Sequence, residues 1–266
     1  MDSVDISVII PTYHREQQLL EAVNSVLVQQ NVALEVIVVD DSADASARQV
    51  IESVNDPRVR YITRPEPSRG RPALVRNDGA KLANGRYLYF LDDDDISEPG
   101  ALAAMSQALD AAPAAGMVFG VITPFGLDAE VLRHNQQYFA EARRIALKLK
   151  GRRQLSAYLT FRAAVLVCSA GMARRTAFTA VGGFDADIPV CEDAELWARI
   201  ARASGYVFID KTVVRYRTGA PSLMHNLVEN DEKLRVSSRK IQDKYRKANG
   251  VLEFFAMKLW ARAIFS

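Results

Sequence analysis

The first third of the chain alternates short, predominantly apolar runs with longer stretches in which apolar residues recur every three to four positions. Runs of the first kind read as strands buried on both faces, and stretches of the second as helices that bury one stripe. The apolar runs fall at 5–10, 34–39 and 87–91, and 58–63 is read as a further strand between them. Helical spacing fills 15–30, where Leu19, Leu20, Val23, Val26 and Leu27 share a face, and then 45–54 and 72–83. Asp56-Pro57 marks a turn before the third strand, and 65–70 a loop after it. This order predicts an α/β chain with a Rossmann-like, mostly parallel central sheet flanked by helices. Ligands of such sheets bind beyond the carboxyl ends of the strands. The ends of the first, second and fourth strands therefore share one edge, and they carry Pro11-Thr12-Tyr13, Asp40-Asp41-Ser42 and the run Asp92-Asp93-Asp94-Asp95.

The second half is less regular. Helices are expected at 99–112, 128–150, 193–203 and 226–248, and strands at 117–122, 207–209 and 213–216. Residues 164–168 form another apolar run, and Gly182-Gly183-Phe184-Asp185 reads as a turn. No repeat or linker divides the chain, so one unit with two sub-regions is expected. The tail at 251–265 carries Leu252, Phe254, Phe255, Met257, Leu259 and Trp260 with Lys258 and Arg262 between them. Such a helix either lies on a membrane surface or docks on the core or a second subunit.

Composition narrows the partners. A net charge of +2 over 266 residues creates no field that would draw nucleic acid. The basic residues nevertheless cluster, as Arg64, Arg69, Arg71 and Arg76 and again between Arg143 and Arg153. Each cluster is a solvated surface unless other residues make it a phosphate site. Cys168 and Cys191 have neither CxxC nor zinc spacing, which fits a reducing cytoplasm. No stretch approaches the ~20 apolar residues that span a bilayer, and the opening residues do not read as a signal peptide. A cytoplasmic protein is therefore expected, either free or peripheral at the inner face of the membrane.

Four consecutive aspartates after a buried strand are a poor scaffold, because Asp disfavours strands and adjacent like charges repel. Either all four reach water or a divalent cation offsets the repulsion. Carboxylates suit Mg²⁺ or Mn²⁺, which bind through one or two of them plus substrate phosphates. The spacing excludes an EF-hand.

Five segments, taken in order, resemble glycosyltransferase family 2, whose members are inverting enzymes with the GT-A fold. They are ISVIIPTYHR (6–15), EVIVVDDSAD (35–44), VRNDGAKLANGRYLYFLDDDD (75–95), VGGFD (181–185) and CEDAELWARI (191–200), with a looser match at VVRYRTGAPSLMH (213–225). The resemblance implies a GT-A domain at 1–225, with a nucleotide-binding half at 1–95, an acceptor-side half at 116–225 and C-terminal helices at 226–266. It implies transfer of a sugar from a nucleotide diphosphate, most simply UDP, to an acceptor hydroxyl in glycan or polysaccharide biosynthesis. The acceptor would be a lipid-linked glycan, a polysaccharide or a protein. The tail would supply a peripheral membrane contact or a dimer contact.

Residue roles follow from the same resemblance. Pro11 and Tyr13 would hold the nucleobase, Tyr13 by stacking, and Asp41 would accept its N–H. Arg71 and Arg76 would lie near the nucleotide. Asp92 would bind the ribose or orient the metal, Asp94 would ligate the metal with Asp93 beside it, and His225 is a further candidate ligand. Asp193 would be the catalytic base and Glu192 would position it. One base and one cation suffice for inversion, because the acceptor hydroxyl must lose a proton and the leaving diphosphate needs positive charge.

The chain departs from the family where His14 replaces the usual Asn and where Tyr216-Arg217 lacks the close-following His. The QxxRW motif and membrane helices of processive members are absent, which implies one sugar per encounter. Trp197 reads as core, Glu195 as a helix-surface residue, and Arg15 and Arg48 as solvent-exposed. Two other classes compete: a sugar-phosphate nucleotidyltransferase, which would want a Gly-rich basic loop after the first strand, and a non-catalytic nucleotide- or glycan-binding module.

Overall fold

The computed structural model describes residues 4–162, 165–219 and 227–263. Strands β1 (Ile6–Thr12), β2 (Leu34–Asp40), β3 (Val59–Thr63) and β4 (Tyr87–Phe90) alternate with helices α1 (Glu16–Leu27), α2 (Arg48–Val54) and α3 (Pro72–Lys81). β1 pairs in parallel with both β2 and β4, and β2 with β3. The apolar side chains of β1, β2 and β4 are almost wholly enclosed, which is why these strands lack polar alternation, whereas β3 at the sheet edge is only partly buried. Gly79 lets α3 lie close on this sheet, since a Cβ there would come within 2.5 Å of Ile9 Cγ2.

The register sets the site. Thr12 of β1 pairs with Asp40 of β2, so both strands end together. Ile9 pairs with Phe90, so the aspartate run leaves the sheet beside Thr12.

The second half extends the same sheet. Strands β5 (Ile96–Ser97), β6 (Met117–Phe125), β7 (Gly171–Arg174) and β8 (Tyr206–Arg217) give eight strands in the order β3-β2-β1-β4-β7-β6-β8-β5. β7 runs antiparallel between β4 and β6, and β8 is parallel to β6. The two strands expected at 207–209 and 213–216 are one, with pairing shifted around Val121. The expected helix at 128–150 is α5 (Ala129–Lys148), and a further helix, α6 (Arg152–Phe161), follows it that was not expected. Asp128 caps α5 by accepting the N–H groups of Glu130 and Val131, and Gly151, at φ +79°, begins α6.

Between these lie α4 (Ala101–Ala111), α7 (Arg175–Ala180) and α8 (Glu192–Ser204). Helix α8 buries Leu196, Trp197 and Ile200, and the Trp197 ring closes against Gly171. Two helices follow, α9 (Leu227–Asn249) and α10 (Val251–Ala263). The tail helix α10 docks through Phe254, whose ring meets Phe161 at 5.3 Å, and through Ala261. Its outward side keeps Leu252 (89% exposed), Phe255 and Leu259 in solvent. Among the described residues no helix is long and apolar enough to cross a membrane.

Candidate active site

The four aspartates occupy four different environments. Asp92 receives the Arg76 guanidinium at 2.5 Å, and its N–H donates to Ser169 Oγ at 3.0 Å. Asp93 turns back into the protein and accepts from the Thr12 hydroxyl (2.8 Å) and from Arg15 (3.1 Å). Asp94 takes the same Arg15 nitrogen at 2.7 Å. Asp95 is buried, with one oxygen bonded to the Arg217 N–H and the other closed off without a partner. Burial pushes the Asp93 carboxyl up to about 6 against the opposing charge of Arg15. It raises Asp94 as well, helped by the negative charge of Asp92, and raises Asp95 well above the carboxylate range. Arg15, expected in solvent, is therefore a partner of the acidic run, because the turn after β1 folds over the end of β4.

Asp92 and Asp94 thus repel each other at the mouth of the sheet. Among the described residues no group of three His, Cys, Asp or Glu side chains could hold a metal by itself. Two carboxylates fit a Mg²⁺ or Mn²⁺ whose remaining ligands come from substrate phosphates and water. His225 lies outside the described residues.

A second network surrounds the end of β2. Asp40 is structural: it accepts the N–H groups of Ser42 and Ala47 and the Tyr61 hydroxyl. Asp41 faces the other way and accepts the Ser68 N–H (2.6 Å), the Ser68 hydroxyl (2.5 Å) and Arg64 (3.2 Å). Arg71 donates its N–H to Ser68 Oγ and its Nε to the Ser68 carbonyl, and the rest of the side chain is exposed. Beside this network Pro11 is half-buried at the end of β1, and Tyr13 stands 58% exposed with its ring edge-on to His14. Ser68 was missed in the sequence, since a loop serine has no periodic signature, and Arg64, read there only as one of a basic cluster, pairs with Asp41 and Asp78.

The third group lies at the opening of α8. Cys191, at φ +61°, turns the chain so that Glu192 and Asp193 begin the helix. Asp193 accepts the N–H of Ala194 at 2.7 Å. Burial first, and the charge of Glu192 second, push its carboxyl up to about 7, with Arg76 opposing. Arg76 itself is buried, bonds Glu192 at 2.5 Å as well as Asp92, and lies 5.5 Å over the Phe184 ring. It is enclosed between two acids rather than open to a ligand. Phe184 is held in turn by Asn77, which donates to its carbonyl and accepts its N–H.

Glu195 also departs from expectation. It is 3% exposed and paired with Arg199, which donates to the carbonyls of Val181 and Gly183 and so fixes the glycine turn. This turn, with Glu195, Arg199 and Lys244, lines a cavity of about 490 Å³.

The structure thus brings Asp41, Asp92, Asp93, Asp94, Glu192 and Asp193 to one end of the sheet, where Arg15 joins Asp93 to Asp94 and Arg76 joins Asp92 to Glu192. A carboxylate near neutrality beside a pair of repelling acids can remove a proton next to a bound cation.

Comparison with known proteins identifies the family and the fold. The family model described as Glycosyl transferase family 2 matches residues 7–182. The succinoglycan biosynthesis protein ExoO of Rhizobium meliloti is 36% identical over 110 residues, 41% of this chain and 31% of that protein. A β-1,3-glucosyltransferase of Campylobacter jejuni acting on GalNAc(5)-diNAcBac-PP-undecaprenol is 35% identical over 104 residues, 38% of this chain and 33% of that protein. The Escherichia coli enzyme WfgD, a UDP-Glc:α-D-GlcNAc-diphosphoundecaprenol β-1,3-glucosyltransferase, is 35% identical over 96 residues, 36% of this chain and 37% of that protein. The chain spans about a third of the length of these relatives. Among solved structures, S. aureus TarS 1-349 in complex with UDP-GlcNAc superposes with a TM-score of 0.68 at 19% identity, covering 99% of this chain and 74% of that one. Mannosyltransferase PcManGT of Pyrobaculum calidifontis, in complex with GDP-Man and Mn²⁺, gives 0.66 at 18% identity, covering 97% and 68%. The sheet is that of the GT-A transferases.

Proposed function

The chain belongs to glycosyl transferase family 2, and we propose that it transfers a sugar, with inversion, from a nucleoside diphosphate to the hydroxyl of a growing glycan. The observation that carries this reading is the Asp92–Arg76–Glu192 bridge, which ties the acids of the donor half to the start of α8, where Asp193 sits. Base and cation acids are thereby held at a fixed separation, as proximity catalysis requires. Residues 1–95 carry the nucleotide side and 116–225 the acceptor side of the shared sheet.

In this reading Tyr13 and Pro11 flank the base, Asp41 accepts from it, and Arg71 lies over the phosphates. Asp193 takes the proton of the acceptor hydroxyl while that oxygen bonds the anomeric carbon. The bond from that carbon to the diphosphate breaks on the opposite face, and its electrons leave with the nucleotide. Asp94 and Asp92 would hold a divalent cation, Mn²⁺ or Mg²⁺, which would supply positive charge to the leaving diphosphate. UDP is the simplest carrier and a lipid-linked glycan the simplest acceptor, as the named relatives support. The exposed face of α10, flanked by basic residues, fits peripheral contact with the anionic inner face of a membrane.

Calorimetry with UDP, GDP and dTDP, with and without Mn²⁺, on wild type and Asp94→Asn tests the donor site. One nucleotide should bind in a metal-dependent way and be lost in the variant. Release of that nucleotide from its sugar donors should cease in Asp193→Asn with binding retained. A well-folded wild type that binds no nucleotide excludes the transferase reading.

A further inference from the structure

Tyr216 lies across the sheet edge from the aspartate run. The antiparallel pairing of β5 with β8 matches Ile96 with Arg215 and Ser97 with Val214. Continued one step, this register sets Tyr216 opposite Asp95. Arg217 locks it there, donating its N–H to the Asp95 carboxylate (3.0 Å) and its Nε to the Asp94 carbonyl (2.8 Å). Arg215 and Arg217 both lie over the Phe125 ring, at 4.7 and 4.6 Å. Side chains alternate along a strand, so Tyr216 leaves from the other side, where its ring meets Phe139 of α5 at 5.4 Å.

That side faces the cleft. The phenol is within electrostatic reach of Asp95, Asp92, Asp94 and Asp193 together. The acids of the cation site and the base are thus both near it. Its hydroxyl bonds no described residue and is not one of the closed-off polar atoms, so it retains access to the cleft. The cations nearby are already engaged: Arg15 with Asp93 and Asp94, Arg76 with Asp92 and Glu192, Arg217 with Glu21. A neutral donor among paired charges calls for an acceptor that arrives with the ligand. In a nucleoside diphosphate sugar, the group lying between the cation and the anomeric carbon is the β-phosphate.

We propose that the Tyr216 phenol donates a hydrogen bond to the β-phosphate of the donor, and that this bond strengthens as the phosphate departs. The assignment rests on the transferase reading above and adds a contact to it. The phenol keeps its proton throughout, so the contribution is that of a preorganised donor to developing negative charge.

The test compares nucleoside diphosphate with monophosphate. Affinities of wild type and Tyr216→Phe are measured by calorimetry with Mn²⁺ for UDP and UMP, and for the guanosine and thymidine pairs. The variant keeps the ring that packs on Phe139. Loss of a hydrogen bond to a charged group should weaken diphosphate binding about tenfold, with monophosphate binding unchanged. A parallel loss for both ligands would mean that Tyr216 only supports the fold of the cleft, and unchanged diphosphate affinity would mean that it makes no such bond. Either result overturns the assignment while the transferase reading survives. A wild type that binds none of the nucleotides overturns both.

Discussion

Arg76 and Glu192 are separated by 116 positions in sequence and by 2.5 Å in space. The same guanidinium reaches Asp92, so a single buried cation holds together two acids from the two halves of the sheet. Removing one member of a buried ionic group is costly because the charges left behind stay out of water. Arg76→Met should therefore lower unfolding free energy by about 3 kcal/mol, read from urea denaturation. It should also detach the start of α8 from the aspartate loop, so turnover falls further than nucleotide affinity. A loss below about 1 kcal/mol would show that water already relieves these acids and that the bridge is not what fixes the base.

Asp193 titrates at about 7, raised mainly by burial and next by Glu192. Its base form is therefore populated only as pH rises through neutrality, and the rate should climb between pH 5 and 7 as the proton leaves. The stability sign is opposite. A carboxyl whose folded value lies above its unfolded value of 3.8 binds its proton more tightly in the native state. That contribution is fully present below about pH 4 and disappears as pH rises through about 7, and Asp93, at about 6, adds to it. Rate and melting temperature should thus move in opposite directions across this window. Asp193→Asn should flatten its share of the stability slope and abolish turnover. A rate independent of pH from 5 to 7 would remove Asp193 as the base.

β1, β2 and β4 were legible in the sequence because strands buried on both faces show themselves by polarity alone, whereas β3 was placed by the turn signal before it. Asp41 and the aspartate run could be located because each directly follows such a strand. The failures share a different cause. Arg15 reads as solvent-exposed in isolation, yet its partners Asp93 and Asp94 lie 78 and 79 positions away. Glu195 has helix-surface spacing, but α8 is enclosed on that side by the glycine turn to which Arg199 holds it. β7 contains Gly171 and Arg174 in only four residues, too few for a period to emerge, and its place between β4 and β6 is set by long-range pairing. The helix expected at 128–150 stops where α5 does to within two residues, but α6, which starts after Gly151, was not foreseen.

Arg15 occupies the acids that a cation would use. It bonds Asp94 at 2.7 Å and Asp93 at 3.1 Å, and it is only partly exposed. Without metal, Arg15→Ala should lower the melting temperature, because two neighbouring carboxylates lose their counter-charge. With saturating Mn²⁺ the variant should recover more than wild type does, since binding stabilises by linkage and Asp94 no longer has to leave an ion pair. Thermal scans across a Mn²⁺ titration read both effects. A smaller Mn²⁺ response in the variant would mean instead that Arg15 orients Asp94 for the cation.

The tail helix offers the last prediction. Leu252, Phe255 and Leu259 fall three and four residues apart, share one face of α10, and are 89%, 57% and 65% exposed. Lys247, Lys258 and Arg262 lie in or beside this helix, and its one acid, Glu253, is bound to Arg202 at 2.9 Å. An apolar stripe bordered by basic residues matches an anionic lipid surface, where each nearby basic residue contributes about 1 kcal/mol. A second copy of the same face would set those positive charges against each other. Wild type should float with vesicles containing phosphatidylglycerol and remain behind with neutral phosphatidylcholine vesicles. The combined Leu252→Ser, Phe255→Ser and Leu259→Ser variant should lose flotation while circular dichroism stays unchanged, because none of the three is among the buried residues of the helix. A wild type that ignores lipid but sediments as a dimer, with the variant monomeric, would assign the face to a subunit contact instead.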